Sequence, residues 1–161
     1  MTSPRPLSLV TGASSGIGAE FARQLAAGGH DLVLTARRAD RMETLATELR
    51  ERYATHVTVL PYDLADPATP QMLCDALEQR GLQVDWLINN AGYGVPGTLD
   101  ANDWTTHADS LRVLLIAPTE LAWRLLPGMR QRGHGRIINV SSLAGHVPGP
   151  AGQTWDAATK T

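Results

Sequence analysis

Leu9-Val10-Thr11-Gly12-Ala13-Ser14-Ser15-Gly16-Ile17-Gly18 decides the fold. Leu7–Val10 is a short apolar run of strand type. After the glycine-rich turn, Ile17, Phe21 and Leu25 recur at helical spacing until Gly28-Gly29 ends the helix. Strand, turn and helix in that order build an anion site. Gly12 permits a tight turn, Gly16 lets backbone N–H groups approach a ligand, and Gly18 lets the helix pack close to the strand. The helix N-terminus, with its unpaired N–H groups and positive dipole end, then faces a pyrophosphate. Ser14, Ser15 and Ile17 fill the same turn and are candidate cofactor contacts with the three glycines.

Outward from this stretch, strand and helix signals alternate, which predicts a parallel sheet covered on both faces: a Rossmann-type, doubly wound α/β fold in three layers. Asp31–Ala36 reads as the second strand. Asp40 and Glu43 have capping-box spacing, and Met42, Leu45, Ala46 and Leu49 share one face of the second helix. A third strand is expected over His56–Tyr62, and a helix over Pro67–Arg80 carrying Met72, Leu73 and Leu77. Trp86–Asn89 and Arg136–Val140 are the fourth and fifth strands. Between them a long helix runs from near Trp104 to Arg132, bent at Pro118 and Pro127. Thr154–Thr161 resembles the first turns of another helix. With 161 residues and no repeat or linker, one domain over 1–161 is expected.

Composition narrows the function classes. A formal charge of −2, scattered along the chain, offers no basic field for nucleic acid. The lone Cys74 excludes an internal disulfide and has the setting of a small apolar residue on a helix. No apolar run reaches membrane-span length, and Met1-Thr2-Ser3-Pro4-Arg5-Pro6 lacks the apolar stretch of a signal peptide, so a cytoplasmic address is expected. The second strand ends in Thr35-Ala36-Arg37-Arg38. A site for NAD normally carries an acid there, to accept from the ribose 2′-hydroxyl. Two guanidinium groups suit a 2′-phosphate instead, so NADP (NADPH) is favoured over NAD, with Arg37 as the phosphate ligand and Arg38 flanking it or stacking on adenine.

Four segments in order, Thr11–Gly18, Asp63-Leu64, Asn89-Asn90-Ala91-Gly92 and Gly135–Ser142, resemble the short-chain dehydrogenase/reductase family from about Pro6 onward. The resemblance implies a nicotinamide-binding Rossmann domain and reversible hydride transfer between NADP(H) and a small carbonyl or alcohol. It places Asp63 and Leu64 beside the adenine, and Asn90, Ala91 and Gly92 around the ribose and adenine.

The resemblance also marks departures on the catalytic side. The family holds a serine after the fifth strand, a Tyr-x-x-x-Lys pair on the next helix and an asparagine in the long helix. Ser142 and Lys160 are in place, Lys160 also serving as a cofactor contact, but Asp156 stands where tyrosine is expected and Leu114 where asparagine is expected. An aspartate of reference pKa about 3.9 beside an ammonium is ionised and cannot protonate an alkoxide. Tyr93 and His146, on loops at the same end of the sheet, could donate a proton, although substrate-side or solvent-facing roles are commoner for such residues. The chain stops one residue after Lys160, where family members continue through further strands and a substrate loop. A truncated domain would leave the fifth strand as an edge and part of the long helix bare, which predicts self-association. Three readings follow: an NADP-dependent oxidoreductase, a cofactor-binding protein with impaired catalysis, and a dimerising scaffold that keeps the glycine loop as a relic.

Overall fold

The computed structural model describes residues 5–143. Five strands, β1 (Leu7–Thr11), β2 (Asp31–Ala36), β3 (Val57–Pro61), β4 (Trp86–Asn89) and β5 (Arg136–Asn139), form one sheet in the order β3-β2-β1-β4-β5. All four pairings are parallel, with Leu9 between Val33 and Leu87 and Val10 between Leu34 and Ile88. The chain crosses over between β1 and β4. A crevice opens there beyond the carboxyl ends of the strands, the place where open α/β sheets bind ligands.

Alternating side chains feed two cores. Leu9, Val33 and Leu87 point to the face covered by α3 (Thr69–Gln79) and α5 (Ala117–Arg132). Val10, Leu32, Leu34 and Ile88 point to the face covered by α1 (Gly16–Ala27) and α2 (Ala39–Tyr53). Both faces of the central strands are buried, which is why these strands read as continuous apolar runs. Met42, Leu45, Ala46 and Leu49 are the buried face of α2, as the spacing predicts.

Several expectations are corrected. Ile17 is not on the buried stripe of α1; it is 60% exposed, and the helix is seated on the small side chains of Ala19, Ala22 and Ala26 together with Leu25. Small residues bring α1 close to the sheet, and Ile17 stands at its first turn, beyond the last strand residue. On α3, Leu73 and Leu77 are buried and Met72 is exposed. Asp40 does not cap α2. The helix begins two residues earlier, with Arg38 as its N-cap, so Asp40 lies in the first turn, where its charge complements the helix dipole.

The long helix is interrupted at one place. After α4 (Trp104–Leu111), residues Arg112–Ile116 form a π-helical segment, and the Ala117 N–H bonds the Arg112 carbonyl. Pro118 supplies the reason. It has no N–H for the Leu114 carbonyl, and its ring would crowd that carbonyl in a regular α-helix. Widening the turn by one residue relieves the crowding. Pro127, by contrast, lies inside an uninterrupted α5.

At the opposite end of the sheet, Asp85 joins β1, β4 and α5. It accepts from the Leu7 N–H at 3.0 Å and from Arg132 at 3.3 Å, and His134 Nε2 lies 3.0 Å from it. His30 is buried beside this network, sharing a 2.7 Å hydrogen bond with Ser8 Oγ and meeting the Trp86 ring edge-on at 4.9 Å. Burial holds the His30 imidazole below its ordinary range, the Asp85 charge opposing this only in part. The unfolded chain therefore takes up a proton near pH 6.5 while the folded chain does not, and stability falls as pH drops below that value. Urea unfolding between pH 7 and 5.5 is expected to show this loss, and His30→Phe is expected to flatten the slope. An unchanged slope in the variant would assign the loss to other groups.

Candidate functional site

The turn after β1 is built around the Thr11 hydroxyl. Thr11 Oγ1 donates to the Ile88 carbonyl at 3.2 Å and accepts from the N–H groups of Asn90 and Ala91, both at 3.0 Å. The Asn90 amide in turn donates to the carbonyls of Thr11 at 2.9 Å and Gly12 at 3.4 Å. The loops after β1 and β4 are thereby locked together across the crevice. The fit leaves no room for side chains. A Cβ on Gly18 would lie 2.4 Å from both the Asn90 amide nitrogen and the Gly12 carbonyl oxygen, and one on Gly12 would lie 2.8 Å from Ala91 Cα. Gly18 therefore allows α1 to approach the loop, more than the strand itself.

Gly16 differs. It has φ +56° and nothing within 4 Å of where its Cβ would be, so the turn presents open backbone to the crevice. Ser15, the N-cap of α1, is fully extended and its side chain makes no capping hydrogen bond. Its hydroxyl accepts from Arg38 at 2.9 Å, and the Ser14 hydroxyl accepts from the same Arg38 nitrogen at 3.0 Å. A serine that could have capped the helix is held elsewhere, and the first-turn N–H groups of α1 are left for an anion.

A groove of about 140 Å³ runs from this turn across the end of the sheet. Gly12, Ser14, Ser15, Arg37, Arg38, Asp63, Leu64, Ala91 and Gly92 line it, so nine of the residues singled out from the sequence come together. Asn90 stands behind it as a brace. Asp63 is exposed; its Oδ1 accepts from the Ala65 N–H at 3.0 Å and its carbonyl accepts from the Thr69 hydroxyl at 2.7 Å, which shapes the loop entering α3. Leu64 is buried beneath. Sequence reasoning missed Thr35, Ala36, Tyr62 and Val113 in the lining. Thr35 Oγ1 is buried with no partner among the described residues, an orphan hydroxyl at the groove floor. Its apolar neighbours on β2 gave it the pattern of an ordinary strand residue.

A family model for short chain dehydrogenases matches residues 7–161. The sulfoacetaldehyde reductase 2 of Chromohalobacter salexigens is 36% identical over 155 residues, covering 93% of this chain and 60% of that protein. The NADP-dependent 3-hydroxy acid dehydrogenase of Salmonella typhi is 33% identical over 153 residues, covering 92% and 59%. Among solved structures, a short-chain dehydrogenase from Sphingobium yanoikuyae in complex with NADPH superposes with a TM-score of 0.89 at 37% identity, over 96% of this chain and 60% of that one. The chain belongs to the short-chain dehydrogenase family. It spans about 60% of the length of these relatives.

In this short-chain dehydrogenase chain, a second cavity of about 400 Å³ adjoins the groove, sharing Leu64, Ala91 and Val113 with it. Leu114 lies here, carried inward by the π-helical segment and 7% exposed, with Asn89, Asn139 and Ser141 also in the lining. Asn89 donates to Asn139 Oδ1 at 2.9 Å and to the Pro118 carbonyl at 3.3 Å. Ser142 follows β5 and is exposed. Lys160, Asp156 and His146 lie outside the described residues. Tyr93 lines the groove and not the cavity, with the Arg37 guanidinium 5.9 Å from its ring centre. Burial pushes its phenol up, the charge of Asp109 adding to this, so it is a poorer acid than a free tyrosine. Position and acidity both count against Tyr93 as a proton donor.

Replacing Thr11 by valine would strand the two N–H groups of Asn90 and Ala91 in a buried place. Each unsatisfied group costs about 1–3 kcal/mol. Thr11→Val is therefore expected to lower unfolding free energy by about 2–4 kcal/mol, whereas Thr11→Ser keeps the hydroxyl and loses only about 1 kcal/mol. Denaturant titration of the two variants checks this, and equal losses would mean that the methyl, not the hydroxyl, matters.

Proposed function

We propose that the groove binds NADP(H) and that the chain is the nucleotide-binding part of a short-chain oxidoreductase acting on a small carbonyl or alcohol. One observation carries the reading: the uncapped N-terminus of α1, open above Gly16, faces a groove rimmed by Arg37 and Arg38, with no carboxylate at the end of β2. The names of relatives favour the same nucleotide. In this reading the first-turn N–H groups of α1 hold the pyrophosphate, with Ser14, Ser15 and Ile17 beside it. Arg37 and Arg38 grip the 2′-phosphate, and the orphan Thr35 hydroxyl gains a partner. Asp63, Leu64, Ala91 and Gly92 enclose the adenosine, which Asn90 serves through the loop it braces. Bound NADPH supplies the hydride for carbonyl reduction.

Proton delivery is the weak half. Leu114 can neither donate nor accept a hydrogen bond, and Asp156, a carboxylate of reference pKa about 3.9 four places before Lys160 in the sequence, would be ionised. Ser142 can orient a carbonyl. We therefore assign NADPH binding with impaired turnover, since loss of a general acid costs about 10²–10⁴ in rate. A further part of the proposal is self-association. Leu115, Ile116, Trp123 and Leu126 are all exposed along one side of the π segment and α5, Trp123 by 69%. An apolar row of this kind marks a contact surface.

Fluorescence titration is expected to give at least tenfold tighter binding of NADPH than of NADH. Arg38→Ala is expected to weaken NADPH about tenfold and leave NADH unchanged, as for the loss of one charge-assisted contact. Equal dissociation constants for the two nucleotides would sink the assignment. With a panel of small ketones, NADPH oxidation is expected to be slow, and Asp156→Tyr combined with Leu114→Asn to accelerate it. Brisk turnover by the unaltered chain would overturn the reading of Asp156 and Leu114.

A further inference from the structure

The two arginines at the groove rim are held in different ways. Arg38 is fixed by two hydrogen bonds to Ser14 and Ser15. Arg37 is exposed, and its guanidinium carbon lies 5.9 Å over the Tyr93 ring, within the range of a cation–π contact. Among the described residues, Tyr93 is the contact that fixes Arg37. The arginine comes from the end of β2 and the tyrosine from the loop after β4, so the pair spans the groove that both residues line. A guanidinium on a free side chain loses rotamer freedom when it grips a phosphate. One already stacked on a ring loses less.

We propose that Tyr93 is a positioning residue for nucleotide selectivity: by stacking under Arg37 it holds the guanidinium ready for the 2′-phosphate of an adenine nucleotide. This rests on the reading of the groove as an NADP(H) site. It assigns one determinant of that selectivity to the β4 loop, across the crevice from the strand end that carries the arginines. Two carboxylates act on the ring, Asp109 and Asp63; Asp109 accepts from Arg112 at 2.9 Å, and Asp63 accepts from the Ala65 N–H at 3.0 Å.

The test is a set of dissociation constants for NADPH, NADH and adenosine 2′,5′-bisphosphate, which carries the 2′-phosphate without the nicotinamide. Tyr93→Ala is expected to weaken NADPH and the bisphosphate by about two- to fivefold, the size of an exposed cation–π contact. NADH is expected to be unaffected. Tyr93→Phe and Tyr93→Trp keep a ring and are expected to restore binding. The double variant Arg37→Ala/Tyr93→Ala is expected to bind NADPH no more weakly than Arg37→Ala alone. Equal weakening of NADPH and NADH by Tyr93→Ala would overturn the proposal, because the ring would then serve a part of the nucleotide common to both. Additive losses in the double variant would overturn it as well. If the unaltered chain prefers NADPH and Tyr93→Ala keeps that preference in full, this inference fails alone. If the unaltered chain shows no preference, the NADP reading fails and takes the inference with it.

Discussion

The site depends on one close approach: Gly18 against the Gly12 carbonyl and the Asn90 amide. A side chain at either glycine would have to occupy space already filled by backbone or by Asn90. Because both are bare, α1 comes down onto the β1 loop, and its N-terminus is aimed across the sheet end and not past it. Asn90 and Thr11 then supply the hydrogen bonds that two close, partly buried loops would otherwise lack. Steric permission comes from glycine and cohesion from one hydroxyl and one amide. The groove proposed for a nucleotide is what remains between the parts so held.

This explains how much of the molecule was legible in its sequence. Strand and helix placement follow from alternation and from runs buried on both faces, and these signals are strong in β1, β2 and β4; the order of the strands in the sheet does not. The glycine loop was legible because its residue types are the only ones that fit. Ile17 was misread because periodicity registers an apolar residue but not the end of the sheet beneath it. The start of α2 was misread for a related reason: Asp40 has a capping side chain, yet Arg38, tied to Ser14 and Ser15, sets where the helix begins. A long-range contact overrode a local preference. Thr35 and the contact of Tyr93 with Arg37 were hidden in the same way, since neither a strand hydroxyl nor a loop ring announces what stands opposite.

The π-helical segment shows a milder version of the problem. Pro118 announced an irregularity, but a proline can be met by a kink, a break or a widened turn. The widened turn was selected by packing. It keeps Val113 and Leu114 buried against the sheet while Leu115 and Ile116 face outward, and the Thr119 hydroxyl takes up the Leu115 carbonyl at 2.6 Å. Position 114 thus points into the cavity because of the backbone around it, whatever side chain it carries.

That separation bears on how a member of this family can lose chemistry and keep its fold. In the proposed reading, the nucleotide half of the site is made from backbone geometry, and its side chains are braces whose loss would be felt in stability. On the proposed catalytic side, position 114 projects from a segment that is packed for other reasons. Leu114 fills its place with an apolar group and buries it, which in a cavity lined by Leu64, Val113 and Ala122 is a favourable contact and not a defect. An asparagine there would need partners for its amide or would leave buried polar atoms unpaired. Stability therefore favours the leucine that chemistry would reject. The groove next to it, resting on Gly12, Gly18, Thr11 and Asn90, is indifferent to the exchange.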